Sequence, residues 1–226
     1  MIRIGELKDE AIAVLNGKWF SFVGLTFVYM LIVMVVTVPA NAASLMQGSI
    51  MNNLAIKLTC VGVILSFLMV PMQFGYCLAH MNASRQDMPA EIGDLFACYS
   101  QILKIIGVYL LLGVLITVGF VMLVVPGIIF ALMYSMVPFI VIDNPELSIL
   151  EAFKKSREMM YGHKLYFLLL NLSFLGWLLL AILPFGVGLL WVMPYMVMTE
   201  FKFYERLCTE NTHEEFIDYV KDTEIA

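Results

Sequence analysis

The chain has 226 residues, 62% of them hydrophobic and 14% charged, with a mean hydropathy of +0.90. An ordinary soluble domain carries about 45–50% apolar and about 25% charged residues, so a water-soluble fold of this size could not hide so much apolar surface and lipid must solvate much of it. The net charge of −5 and a pI near 5.2 argue against a nucleic-acid partner, which needs a basic face; Cys60, Cys77, Cys98 and Cys208 lack metal or redox spacing and suggest no disulfide framework.

In chain order, the first 18 residues contain Glu6, Asp9 and Glu10 and read as a retained segment, not a cleavable signal. Ile4, Leu7, Ala11, Val14 and Leu15 form a stripe that predicts an amphipathic helix over 4–16. A charge-free run follows, broken by Pro39, Asn41 and the polar-rich stretch AASLMQGSIMNN, which leaves a first span over 19–38. A second span covers 59–80, and a short surface helix is expected over 90–102.

The charge-free run 105–142 is too long for one crossing, since a helix of that length would extend about 57 Å against a ~30 Å hydrocarbon core. Proline lacks an amide donor and glycine turns freely, so Pro126-Gly127 is the expected reversal between spans over 105–125 and 127–142. An amphipathic helix over 145–161 comes next, with Asn144 as cap, Pro145 at its first position and Gly162 as stop. Ile149, Ala152, Phe153, Ser156, Met159 and Met160 make its apolar face, with Glu151, Lys154, Lys155, Arg157 and Glu158 opposite, so it is expected to lie among lipid headgroups. Spans over 165–183 and 185–204, divided by Pro184, complete six; Thr212-x-x-Glu215 reads as the capping box of a tail helix over 212–221.

Charge tests this count. With six spans the two termini and the loops 81–104 and 143–164 share one side, which then holds twelve of the thirteen basic residues, Lys57 being the other. That bias places both ends in the cytoplasm. A repeat also emerges: Met69-Val70-Pro71, Met136-Val137-Pro138 and Val192-Met193-Pro194 notch the second helix of each pair, and Lys18, Lys104 and Lys164 precede the first. General membrane rules for proline and snorkelling lysine would give the same pattern without true repetition.

Candidate sites are few. Asp143 and Glu146, flanking Asn144-Pro145, could bind a cation or gate a pathway, or could simply complement a helix start. Arg157 could meet a headgroup phosphate or be a solvated interfacial residue. Within the spans, Ser135 and Asn171, with carbonyls freed near Pro71, Pro138 and Pro194, could line a pathway, although interhelical hydrogen bonding is the plainer role for Asn171. No span carries an ionisable group in its central part, which argues against proton or ion coupling. His80, His163 and His213 lie in separate segments without ligand spacing, so no metal or other cofactor is expected.

The segments MVPFIVIDNPELSILEAFKKSREMMYGHK, FLLLNLSFLGWLLL and GVGLLWVMPYMVMTEFKFYERL resemble a bacterial multi-pass family catalogued as domain of unknown function 975. The likeness runs over roughly 100–207 and is carried by DNPEL…KSRE, LSFLGW and PY…FYE around Tyr195, Tyr204 and Glu205; Phe201-Lys202-Phe203 depart from the smaller residues expected there. The resemblance implies an integral membrane protein and supplies no catalytic residues.

The expectation is an all-α polytopic protein of the bacterial cytoplasmic membrane, six transmembrane helices in three hairpins with amphipathic cytoplasmic-side helices. Three functions are compatible with it: a non-enzymatic organiser of membrane lipids or of a protein partner, which a second copy of the chain could supply; a carrier or channel for a neutral or lipidic solute; and, third in order, an enzyme on lipid headgroups near Asp143, Glu146 and Arg157.

Overall fold

The computed structural model describes residues 3–45, 52–183 and 186–225, with side chains described outside 39–59 and 211–225. Every element among the described residues is helical: α1 (Ile4–Leu15), α2 (Trp19–Leu45), α3 (Asn52–Gln86), α4 (Asp94–Ala97) continued by a 3₁₀ turn (Cys98–Gln101), α5 (Ile102–Met122), α6 (Val124–Met133), α7 (Val137–Asp143), α8 (Ile149–Met159), α9 (Lys164–Ile182) and α10 (Leu189–Ile225).

Five stretches among the described residues are long and apolar enough to cross a bilayer: Trp19–Val38, Cys60–Gln86, Asp94–Met122, Val124–Asp143 and Lys164–Ile182. Their outer faces carry the exposed apolar residues that lipid must solvate, among them Met34 and Val35, Ile64, Val121, and Leu172 and Leu179. The sixth expected span, 185–204, falls in α10, where Glu200, Lys202 and Glu205 interrupt the apolar sequence. The sequential pairs α2–α3, α5–α6 and α9–α10 pack together, and α10 also touches α1, α2 and α3.

The long hydrophobic run does divide into two packed helices, but not at Pro126-Gly127. The reversal is at Leu123, whose extended backbone (φ −170°, ψ 158°) links α5 to α6. Pro126 sits in the first turn of α6, where a missing amide donor leaves no helical bond unmade. Gly127 serves close packing instead: a Cβ on Gly119 would lie 2.9 Å from the Gly127 Cα, so the two glycines let the helices touch.

The surface helix also starts later than expected, at Ile149. Ser148, not Asn144, is its cap: the Ser148 hydroxyl accepts the Glu151 amide at 3.3 Å while the Glu151 carboxylate accepts the Ser148 amide at 2.7 Å. This reciprocal box satisfies two helix-start donors where Asn144 would satisfy one. The Ser148 hydroxyl and amide hold the Glu151 carboxyl below its usual pKa range. Asn144 instead donates from Nδ2 to the Ile140 carbonyl (3.3 Å) at the end of α7, and Pro145 is exposed in the turn between. Gly162 ends the helix as expected, in the left-handed region at φ +79°.

The apolar faces of α1 and α8 are turned to protein, not lipid. Leu7, Ala11 and Leu15 are buried and α1 packs on α10, while Lys8 Nζ lies 4.4 Å above the Phe174 ring of α9. Ala152, Phe153, Ser156 and Met159 are buried and α8 packs on α7, with contacts to α5 and α10. The surface helix near 90–102 is shorter, Asp94–Gln101, and runs directly into α5. The tail is continuous with α10 and forms no separate helix; the side chains of Thr212, His213, Glu215 and Lys57, and residues 46–51 and 184–185, lie outside the described residues.

The lysines ahead of the spans tie helices together. Lys18 pairs with Asp87 just past the end of α3, and Lys104 Nζ donates to the Pro145 carbonyl at 2.7 Å. The first and third expected repeat units also share a left-handed glycine before the lysine, Gly17 (φ +81°) and Gly162, whereas the middle unit enters α5 through the 3₁₀ turn.

Candidate functional site: a cavity in the bundle and the ion-pair cluster beside it

The fourth span is a broken helix. α6 stops at Met133, Tyr134–Met136 form a turn, and α7 restarts with Pro138 in its first turn, where the ring presets φ and no donor is lost. The break frees carbonyls, and two of them take side-chain donors. Leu132 accepts the Ser135 hydroxyl at 2.8 Å, and Met133 accepts the hydroxyl of the wholly buried Ser156 of α8 at 2.9 Å. Tyr99 similarly donates to the Leu68 carbonyl (2.8 Å) near the Pro71 notch in α3. Ser156→Ala is expected to cost about 1–3 kcal/mol, because it orphans a buried carbonyl. Ser173→Ala, removing a hydroxyl bonded only within its own helix to Leu170 (2.6 Å), should cost under about 0.5 kcal/mol; reversible unfolding in mixed detergent micelles compares the two.

Around this break the helices form a cavity of about 730 Å³, lined from α2, α3, α5, the α6–α7 turn, α7, α9 and α10. Tyr29, Phe74, Tyr76, Tyr109 and Phe139 give it aromatic walls, Leu112, Ile116, Met193 and Met196 aliphatic ones, and Gln73, Thr117, Ser135 and Glu200 its polar points. Tyr29 and Tyr76 stack at 5.2 Å, and the Tyr76 hydroxyl shares a 2.7 Å hydrogen bond with buried Thr26. A smaller groove of about 350 Å³ shares Tyr109, Gly113 and Thr117 with the cavity and continues along Phe67, Leu110, Val114 and Val118 between α3 and α5. Since Leu110, Val114 and Val118 are exposed on the apolar outer face, this groove connects the cavity wall with the lipid-facing surface.

Next to the cavity lies an ion-pair cluster. Arg85 at the end of α3 pairs with both oxygens of Asp143 at the end of α7, one contact at 3.1 Å, and its Nε lies 3.7 Å from Glu205 of α10. The Tyr204 hydroxyl donates to Asp143 at 2.9 Å, and Glu205 accepts from Ser84 (3.3 Å) and Lys202 (2.8 Å). Arg206 pairs with Glu10 of α1, which closes the same end of the bundle. Phe139 separates cluster from cavity: it lines the cavity and lies against Tyr204 (5.6 Å) and Phe201 (5.8 Å), all three buried.

The sequence candidates distribute unevenly over these features. Ser135 and Pro138 line the cavity. Asn171 does not: its Nδ2 donates to the Phe167 carbonyl of its own helix at 3.0 Å, and it makes no hydrogen bond to a neighbouring helix among the described residues. Pro194 is buried inside the continuous α10, and Tyr195 packs edge-on against Phe174 at 5.1 Å. Asp143 belongs to the Arg85 cluster, while Glu146 is exposed and forms no hydrogen bond or ion pair among the described residues. Arg157 is exposed on the polar face of α8. No group of three His, Cys, Asp or Glu residues that could hold a metal ion assembles among the described residues.

No expected span carries an ionisable group in its central part, yet Glu200, near the end of the sixth, lines the cavity. Met193, Met196, Val197 and Glu200 recur at i, i+3, i+4 and i+7 and therefore share one helix face. That spacing was legible. The roles of Arg85 and Tyr204, distant in sequence from Asp143, were not.

No curated protein and no solved structure matches the chain. A family model does, over residues 112–211, from within α5 into α10, a region holding Ser135, Pro138, Asp143, Glu200 and Tyr204 but not Arg85 or the tyrosines of α2 and α3. The resemblance drawn from the sequence is thus met by this match, since residues 112–211 fit the family model described as Protein of unknown function (DUF975).

Proposed function

We propose that this is a non-enzymatic, multi-pass protein of the bacterial cytoplasmic membrane that binds a lipid-like amphiphile inside its helix bundle. Six spans, with α10 as the last and both ends cytoplasmic, accord with the distribution of lysine and arginine. The observation that carries the reading is the cavity of about 730 Å³, apolar and aromatic with a few convergent polar groups, which is the usual make-up of a small-molecule site. The groove between α3 and α5 supports access from the bilayer. Of the two lipid-related functions compatible with the sequence, organising lipid and carrying a lipidic solute, both begin with this binding step. Docking of a protein partner through α1 or α8 has less support, since their apolar faces are already covered within the chain.

Gly113 offers a clean test because it lines both cavity and groove, yet a Cβ built on it meets nothing within 4 Å. Gly113→Phe should therefore fold and fill the space. A phospholipid with a diazirine in its acyl chain is expected to label Met193 and Met196 in the native protein. In the variant that labelling should fall at least about fivefold, while Leu172 on the outer face of α9 stays labelled; a fivefold loss needs only about 1 kcal/mol. Labelling confined to outer-face residues in the native protein would refute the proposal.

A further inference from the structure

We infer that Glu200 makes this cavity selective for an organic cation, so that its occupant carries an ammonium group on an apolar body. The inference rests on the cavity-binding reading above and names the chemistry of the occupant. Glu200 is the one anionic side chain lining the cavity, and no basic residue among the described ones lines it. It has no hydrogen bond or ion pair with any described residue, although its neighbours on α10 are fully engaged: Lys202 is held by Glu205 at 2.8 Å, and Tyr204 by Asp143 at 2.9 Å. Arg85, the other basic group nearby, is committed to Asp143 and Glu205 and sits 5.4 Å over the Phe201 ring. Lys202, Tyr204 and Arg85 are thus committed elsewhere, and the Glu200 carboxylate lines the cavity without a partner among the described residues.

A carboxylate in apolar surroundings is costly until a proton or a cation neutralises it. Two features select among cations. A metal ion needs several oxygen ligands, and the cavity offers one carboxylate with Gln73, Thr117 and Ser135 spread over α3, α5 and the α6–α7 turn. The walls suit a different shape of charge: Tyr29, Tyr76, Tyr109, Phe74 and Phe139 present ring faces and edges, the surroundings in which alkylated ammonium groups gain cation–π attraction. Met193 and Met196, flexible and polarisable, can accommodate an alkyl body of variable form. The exposed groove along Leu110, Val114 and Val118 then gives an amphiphile, not a water-soluble amine, the shortest way in.

The test uses the full chain in phosphatidylglycerol nanodiscs, with empty discs subtracted, and two tritiated probes of equal shape: decyltrimethylammonium and its neutral carbon isostere 2,2-dimethyldodecane. The native protein should bind the ammonium probe saturably and at least about tenfold tighter than the isostere; Glu200→Gln should weaken the ammonium probe by about ten- to a hundredfold, as loss of a charged partner does. Glu200→Asp should retain most of the preference, and Glu200→Gln should leave the isostere unchanged within about twofold. Equal binding of the two probes by the native protein, or undiminished ammonium binding by Glu200→Gln, would overturn cation selectivity while leaving the cavity reading standing. Absence of saturable binding for both probes would overturn the two together. Adding phosphatidylethanolamine to the discs separates the sources of the ammonium group: displacement of the bound probe marks a lipid headgroup, and continued binding marks a free amphiphilic amine, each consistent with the inference.

Discussion

Phe139→Ala is expected to destabilise the bundle by about 3–5 kcal/mol, the range for deleting a buried aromatic ring. The ring is 3% exposed and touches two others that are fully buried, Tyr204 at 5.6 Å and Phe201 at 5.8 Å. In a membrane the loss is of packing contacts, because lipid is no worse a solvent for the ring than the protein interior. The void cannot be filled by collapse, since one side of Phe139 already faces the cavity. A second consequence follows from its position between cavity and cluster: removing the ring opens the Tyr204–Asp143–Arg85 hydrogen bonds to the cavity. Unfolding of the purified variant by a rising fraction of ionic detergent measures the first effect. Phe139→Leu, which keeps most of the volume, should lose under about half as much; an alanine variant as stable as the native chain would contradict this account of the packing.

Gly75→Ala is expected to cost at least about 1–3 kcal/mol, the ordinary penalty of overpacking, and to detach α4 from α3. A Cβ there would lie 2.5 Å from the carbonyl oxygens of both Asp94 and Leu95, and these are backbone atoms that no side-chain rotation can move away. Leu95, fully buried in a small cluster with Leu25, Met72, Tyr76 and Ala79, would be lifted with the backbone. Gly113→Ala is the control. Its Cβ meets nothing within 4 Å, and replacing glycine inside a helix gains up to about 1 kcal/mol. The same substitution at two membrane glycines is thus expected to act with opposite sign. Detergent unfolding supplies the stability difference, and faster amide hydrogen exchange over 94–101 in Gly75→Ala would locate the damage.

Much of the architecture was legible because the bilayer imposes simple rules on a chain. Charge-free length located the spans, and periodicity located the faces of α1 and α8, whose buried residues Leu7, Ala11, Leu15, Ala152, Phe153, Ser156 and Met159 are those the stripes named. What those faces would meet was not legible, since an apolar stripe has the same pattern whether it lies on lipid or on another helix. Local turn chemistry misled twice for a related reason. Pro126-Gly127 and Asn144-Pro145 carry strong turn signals, yet Gly127 is there for close contact with Gly119, and Asn144 was outcompeted by a capping box that begins at Ser148.

Sequence by itself determined that the chain is helical, that its long apolar stretches need lipid as solvent, and which residues face inward along α1 and α8, because backbone satisfaction in hydrocarbon and helical period are local constraints. Only the tertiary structure decided which polar groups meet. Asp143 finds Arg85 and Tyr204 from 58 and 61 residues away, Ser156 reaches the Met133 carbonyl across the break in the fourth span, and Glu200 is left facing an aromatic cavity. Such pairings depend on how the helices are placed against one another, and that placement is a sum over contacts distant in sequence, which no local pattern encodes.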